Sequence, residues 1–492
     1  MTTKPLPVGI DDFEMLITRG YYYVDKTLFI KELLEKKGAV NLFTRPRRFG
    51  KTLNLSMLQY FFENTGNTGL FEGLQICGYE EICTEHMGQY PVIMLSLKSA
   101  KQPDFRQAYA ALMDDIGREF DRHRGIMESD SLLLYEKEKY QRLLERKGTR
   151  EDGNTSLKFL SECLYKHYGK KVIILIDEYD VPLENAYMEH FYDEMLSFIR
   201  SLFESALKTN KSMEFAVITG CLRISKESIF TGLNNLEIHS ILTKSYDEYF
   251  GFTEQDVKCL CEDYGLSHKF SAIKEWYNGY VFGNVNVYNP WSAVQYIKAL
   301  HFDEEAFPYA YWANTSTNSI VRKLIDLSDT AAKSEIEELI AGNALEKPVH
   351  EDITYDEIDK NIDNLFNFMF FTGYFRKVKE RIEPVTSKRY VTLAIPNEEV
   401  RYIFRNKVLG WFDEQVKSRD RSRLFSSFVK SDVATVEEEI QGMLMGTISF
   451  YDAYESFYHG FLAGIFYGMD GYKNIVCYGI SFYRKDCRVK VT

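Results

Sequence analysis

The apolar positions in the first half of the chain follow two spacings in turn. Short runs in which most residues are apolar occur at 39–44, 91–97, 172–176 and 214–219. Runs of that length are what strands buried on both faces require. Val172-Ile173-Ile174-Leu175-Ile176 is the strongest of them. Between the runs, apolar residues recur three and four positions apart. Over 51–63, Leu53, Met57, Leu58, Phe61 and Phe62 share one side of a helix. The same spacing predicts helices over 103–123, 131–147, 155–168 and 191–208. Strand and helix in alternation predict an α/β fold with a parallel sheet covered by helices on both faces.

Past residue 245 the pattern changes. The segment 246–330 reads as mostly helical, interrupted by a loop through 278–290. A charged helix is expected over 333–347 and another helix over 359–372. Residues 389–394 alternate like a strand ahead of Pro396, and 398–445 read as helical again. A helix followed by a small hairpin predicts a winged-helix-like unit.

Composition narrows the picture. A chain of 492 residues is too long for one core, and 45% hydrophobic with 27% charged residues is ordinary for a globular protein. The net charge of −12 excludes a uniformly basic surface for duplex DNA, though not a local basic groove. The 34 Tyr and 35 Phe are spread along the chain and read as core and interface residues. Eight scattered cysteines include no Cys-x-x-Cys pair, so buried free thiols are expected rather than a zinc site. The opening residues lack a charged-then-apolar leader pattern, and no run approaches about 18 apolar residues, so no membrane span is expected. Free thiols fit a reducing compartment, and the expected location is the cytoplasm.

The first chemistry-bearing motif is Thr44-Arg45-Pro46-Arg47-Arg48-Phe49-Gly50-Lys51-Thr52, set between a strand and a helix. Backbone N–H groups at a helix start carry partial positive charge and aim at an anion. Lys51 would reach the β- and γ-phosphates, the Thr52 hydroxyl would ligate Mg²⁺, and Gly50 would let the backbone come close. The residues expected to hold the nucleotide are Arg45, Pro46, Arg47, Arg48, Phe49, Gly50, Lys51 and Thr52. Arg45 stands where the usual pattern has glycine.

The second motif is the aliphatic run ending in Asp177-Glu178. Two carboxylates at the carboxyl end of a parallel strand stand where ligands bind in such sheets. Asp177 would hold Mg²⁺ with Thr52, and Glu178 would orient and deprotonate an attacking water. The buried run 91–97 lies between the two motifs along the chain, and the layout expects one strand to separate them. Thr219, at the end of the next strand, is placed to sense the γ-phosphate. Arg223 would stabilise transition-state charge, in the same chain or in a neighbouring copy. The expected catalytic set is Glu178, Lys51, Thr219 and Arg223.

These segments resemble the bacterial AAA-ATPase-like family, P-loop ATPases often fused to a C-terminal PD-(D/E)XK nuclease-like domain. The resemblance runs through Leu6 to Asp12 with Tyr23-Val24-Asp25-Lys26-Thr27, the loop Arg45 to Thr52, Leu175 to Leu183 and Thr219 to Leu236. It continues through Trp276 to Pro290, Tyr311 to Asn318, Phe371 to Tyr374 and Ile395 to Val400. It implies binding and hydrolysis of ATP with Mg²⁺. It also places Asp25 and Lys26 near the base or ribose and leaves Asp180 as a support or a helix cap.

The nuclease of such relatives needs a carboxylate on one strand and Glu-x-Lys on the next. Only about fifteen residues separate Leu462 from Tyr478, so its core is expected to be deleted. Glu455 and His459 would then remain on a helix. The expected division is a P-loop ATPase domain over 1–245, a helical region over 246–345, a winged-helix-like unit over 346–410 and a nuclease-like remnant over 411–492. Three readings stay open at this point: an ATPase, a nucleotide-gated interaction module with little turnover, and a nucleic-acid enzyme or DNA-binding protein. Glu178 favours the first. A protein client or DNA, and a homo-oligomer, are the open partners; a membrane is not expected.

Overall fold

The computed structural model describes residues 4–223, 229–230, 233–314, 330–351, 355, 358, 361–406, 422–445, 480–483 and 488–491. Its centre is a five-stranded sheet built from β1 (Val40–Thr44), β2 (Val92–Ser96), β3 (Val172–Asp177), β4 (Met213–Gly220) and β5 (Leu236–His239). The order across the sheet is β2-β3-β4-β1-β5, and every neighbouring pair is parallel. All six residues of β3 are buried, and the first five are unbroken aliphatic rather than alternating because both faces are covered. Each such side chain contributes about 1.5–3 kcal/mol on leaving water.

Helices at Lys51–Phe62, Phe105–Arg122, Ser156–Tyr168 and Tyr192–Leu207 flank the sheet, within a residue or two of their expected bounds. Helix α3 (Lys51–Phe62) buries Leu55, Met57, Leu58, Phe61 and Phe62. Chain order misleads in one respect. The strand standing between the phosphate-loop strand β1 and the acidic strand β3 is β4, whereas β2, the 91–97 run, lies at the sheet edge. Long helical crossovers let consecutive strands sit apart, so position along the chain does not set position across the sheet.

An edge strand exposes unpaired backbone groups, and here the helix Phe105–Arg122 covers them. Glu119 Oε1 accepts from Met94 N–H at 2.9 Å. Val92 O accepts from Arg122 Nη2 at 2.5 Å, and His123 Nε2 lies 3.0 Å from the same oxygen.

By its internal contacts the chain divides into two compact units, residues 1–324 with 346–399 and residues 325–345 with 400–492. Residue 245 falls inside the first unit. The expected loop over 278–290 contains a hairpin, β7 (Tyr280–Phe282) and β8 (Val285–Tyr288), with β6 (Phe252–Thr253) pairing beyond β8. The turn is Gly283-Asn284, with Gly283 at φ 53°, the chemistry a two-residue hairpin demands. The helix expected over 333–347 spans Thr330–Ile340, and β9 (Leu345–Val349) follows as a strand. A helix at Ile362–Phe371 leads into the hairpin β10 (Arg376–Ile382) and β11 (Arg389–Ala394), with β9 as third strand.

In the second unit, Ser422–Val429 and Val433–Met445 are helical, and Ile480–Tyr483 pairs antiparallel with Arg488–Val491. Glu455 and His459 lie outside the described residues. Among the described residues no helix is long and apolar enough to cross a membrane. The six described cysteines are free, and Cys163, Cys221 and Cys261 are buried.

Candidate functional site

The turn from β1 into α3 requires left-handed backbone. Gly50, the residue before the helix, has φ 79°, and Arg48 has φ 70°. Glycine occupies that conformation without strain. No side chain caps the start of α3, so its first N–H groups keep the partial positive charge of an open helix end. Lys51 Nζ donates to the carbonyls of Arg45 and Pro46, each at 2.9 Å, and lies 3.7 Å from Cys221 Sγ. The ammonium is therefore drawn into the curl of its own loop.

Three chain segments meet at Asp177. Thr52 Oγ1 donates to Asp177 Oδ2 at 2.7 Å, and the Thr219 hydroxyl donates to Asp177 Oδ1. Asp177 and Thr219 are almost fully buried. The next residue, Glu178, sits at φ 53°, a left-handed conformation that costs a non-glycine residue about 1–3 kcal/mol. Two backbone bonds hold it there: Tyr179 N–H to Thr219 O at 3.0 Å and Val181 N–H to Glu178 O at 3.1 Å. Burial, then the neighbouring Asp177 charge, raises the Glu178 pKa above the ordinary carboxylate value, while Lys51 and Lys98 oppose the shift.

Asp180 precedes the helix α9 (Val181–Met188) but does not cap it. Its Oδ2 accepts instead from Cys221 N–H at 2.8 Å and Leu222 N–H at 3.1 Å, tying the end of β4 to the acidic turn. Gly220 permits this approach, because a Cβ there would stand 2.5 Å from the Tyr179 ring and 2.9 Å from Asp180 Oδ1.

Lys51, Thr52 and Glu178 line a cavity of about 330 Å³. Its wall carries the polar stretch Arg47 to Thr52 with Glu178, Lys98 and Lys101, and apolar side chains including Val8, Ile10, Val24, Trp291 and Val294. The Arg48 guanidinium lies over the Trp291 ring, 4.2 Å from its centre, a cation–π contact.

Of the expected residues, Arg45, Pro46, Asp177, Thr219 and Arg223 are not on the cavity wall. The Arg45 side chain turns into the core, where its guanidinium donates to Thr44 O and His239 O at 2.9 and 2.5 Å. The faces of Phe250 and Phe282 lie 5.1 and 5.2 Å away. Burial lowers its pKa to about 9, against the pull of Asp247. Arg45 is thus a pillar beneath the loop, and only its carbonyl meets Lys51. Phe49 is buried against Tyr280 and Phe282, anchoring the loop to the hairpin. Arg47 pairs with Glu184 at 2.6 Å. Arg223 lies 4.0 Å from Glu351 and is not on the cavity wall.

Asp25 accepts from the Thr27 and Gln75 N–H groups. Lys26 lines the cavity and pairs with Asp256 at 2.5 Å. Sequence reasoning missed Lys98, Lys101 and Trp291 as wall residues. The signal for the two lysines was their place just past a buried strand, at the ligand-binding edge of the sheet.

Comparison with known proteins bears on the same region. A protein from Azotobacter chroococcum mcd 1, described as an uncharacterized protein in the vnfD 5' region, is 30% identical over 350 residues, 70% of this chain. The chain covers 60% of that relative's length. Residues 7–230 match the model of a family described as a predicted AAA-ATPase. The stretch with that likeness carries β1 to β4, the Gly50-Lys51 turn and Asp177-Glu178, and it ends before β5.

Proposed function

We propose that this chain binds ATP with Mg²⁺ in the cavity beside the Lys51 turn and hydrolyses it. The observation that carries the reading is the meeting of Thr52, Asp177 and Thr219, one residue from Lys51 on one side and from Glu178 on the other. The family likeness over 7–230 supports it.

The open end of α3 receives phosphate oxygens on its N–H groups. Lys51 exchanges the carbonyls of Arg45 and Pro46 for the β- and γ-phosphates. The apolar part of the lining, with Trp291 and Tyr22, suits a base.

The donor set fits Mg²⁺, because a hydroxyl and a carboxylate oxygen 2.7 Å apart are hard ligands of the kind that cation takes beside substrate phosphates. Thr52 and Asp177 would hold it, and it would supply charge neutralisation across the β- and γ-oxygens. Thr219 keeps Asp177 oriented. Glu178 takes the proton of the attacking water; its raised proton affinity, from burial and Asp177, makes it a stronger base than an exposed glutamate.

The test is nucleotide binding and phosphate release by wild type, Glu178→Gln and Lys51→Ala. Glu178→Gln is expected to keep ATP binding and lose turnover by about 10²–10⁴-fold, and Lys51→Ala to lose binding. Turnover by Glu178→Gln at the wild-type rate would remove the glutamate from this role. Tight binding without phosphate release by wild type would replace the ATPase with a nucleotide-gated module.

A further inference from the structure

We propose that Lys98 supplies the cation that faces the terminal phosphate of the bound nucleotide, the role expected of Arg223. The inference rests on the ATP-site reading above and adds a residue to it.

Glu178 follows directly on β3, which lies between β4 on one side and β2 on the other. The phosphate loop approaches from the β1–β4 side. Lys98 follows β2 and approaches from the opposite side, so Glu178 stands between two lysines. Both lysines line the cavity, as does Glu178. A phosphoryl group seated on the loop presents its far oxygens to the Lys98 side.

The mount of Lys98 is rigid. Ser96 pairs with Asp177 in the sheet register, and Leu97 N–H donates to Asp177 O at 3.0 Å. The turn Lys98–Ala100 then begins. Asn185 Nδ2 donates to Gln102 O at 2.5 Å, and Gln102 Nε2 donates to Ser99 O at 3.2 Å, closing the turn from below. The flexible stem of a lysine on a fixed base can follow a charge that moves during reaction.

Two other cations are weaker choices. Arg223 lies 4.0 Å from Glu351, outside the cavity wall. Lys101 is on the wall but stands past the turn Lys98–Ala100, farther along the chain from the end of β2.

In the reaction the water oxygen forms a bond to the γ-phosphorus, and the bond from that phosphorus to the β-bridging oxygen breaks. One water proton passes to Glu178. Negative charge gathers on the leaving oxygen and on the three γ-oxygens, and the Lys98 ammonium neutralises part of it without giving up a proton. The same contact favours ATP over ADP in binding, since ADP has no group at that place.

The experiment uses the full chain with Mg²⁺. ATP and ADP affinities are measured by calorimetry and turnover by phosphate release, for wild type, Lys98→Ala, Lys98→Arg, Lys101→Ala and Arg223→Ala. Lys98→Ala is expected to lower kcat on the order of 100-fold and to bring the ATP and ADP affinities together by weakening ATP alone. Lys98→Arg recovers part of both, and Lys101→Ala is expected to lose less than Lys98→Ala on both readouts. Equal weakening of ATP and ADP by Lys98→Ala would mark a structural role and overturn the proposal. So would a wild-type ratio and rate in Lys98→Ala while Arg223→Ala loses both. Binding of neither nucleotide by wild type would sink the ATP-site reading and this inference together, an outcome distinct from failure of Lys98 alone.

Discussion

Two carboxylate clusters lie on either side of the edge strand β2, and they are built on opposite terms. At the outer edge, Glu119 accepts from Met94 N–H and from Arg122 Nε and Nη2, with His123 3.4 Å away. Burial opposes its charge, but hydrogen bonds from His123 and Arg122 outweigh it and hold the pKa at about 2. Arg122 also reaches Glu63. At the carboxyl end, Glu178 is partly open to a cavity, held in left-handed backbone, and its pKa is raised. The difference is in commitment. Glu119 has spent its acceptors on closing the sheet, whereas Glu178 faces a cavity in which a substrate can use them. A buried carboxylate whose partners are all internal reads as structure, and one held under strain beside a cleft reads as chemistry.

The sharpest way to break this contrast is to remove Glu119. Glu119→Ala leaves Arg122 without its main partner and Met94 N–H without an acceptor. The expected loss is about 3–5 kcal/mol of stability, read as a shift in the urea midpoint, with ATP affinity of the folded fraction unchanged. A loss below about 1 kcal/mol would make the edge cluster as dispensable as a surface pair. Acid should act through the same group. Its folded pKa lies below the ordinary value of 4.5, so its contribution is complete above that pH and disappears as pH falls toward 2. About 3 kcal/mol is at stake over the interval. Urea midpoints between pH 6 and pH 3 should fall more steeply for wild type than for Glu119→Gln, and parallel curves would assign the acid sensitivity to other carboxylates.

The contrast also explains what could be read from the sequence. The Lys51 turn and the Asp177-Glu178 strand tip were legible because each is local: an apolar run, a turn and a helix start fix where those side chains stand. Thr219 was legible for the same reason. Arg45 was not, because its direction is set by His239, Phe250 and Phe282, far along the chain. Strand order was hidden by the crossovers, which placed 213–220 rather than 92–96 between the two motifs. The hairpin at 280–288 carried its Gly283-Asn284 turn in plain view, but the Asn and Gly residues around it read as loop. For Lys98 the local mark, a place just past a buried strand, is one that many exposed lysines share, and only the cavity distinguishes this one.

The smallest expected effect is also the one that separates strain from chemistry most cleanly. Glu178→Gly keeps the turn but removes the side chain that makes φ 53° costly, and it removes a negative charge beside Asp177. Glycine accepts left-handed backbone, so the variant should gain about 1 kcal/mol of stability despite the added freedom of its unfolded chain. Turnover should vanish, because no carboxylate is left to take the proton of water. A more stable but inactive protein is the signature of a residue kept for reaction at the expense of the fold. Glu119→Gly has no such compensation, since Glu119 sits in regular helix and its bonds close the sheet edge. If Glu178→Gly instead destabilises the chain by as much as Glu119→Gly, the acidic turn is structural, and the distinction between the two clusters fails.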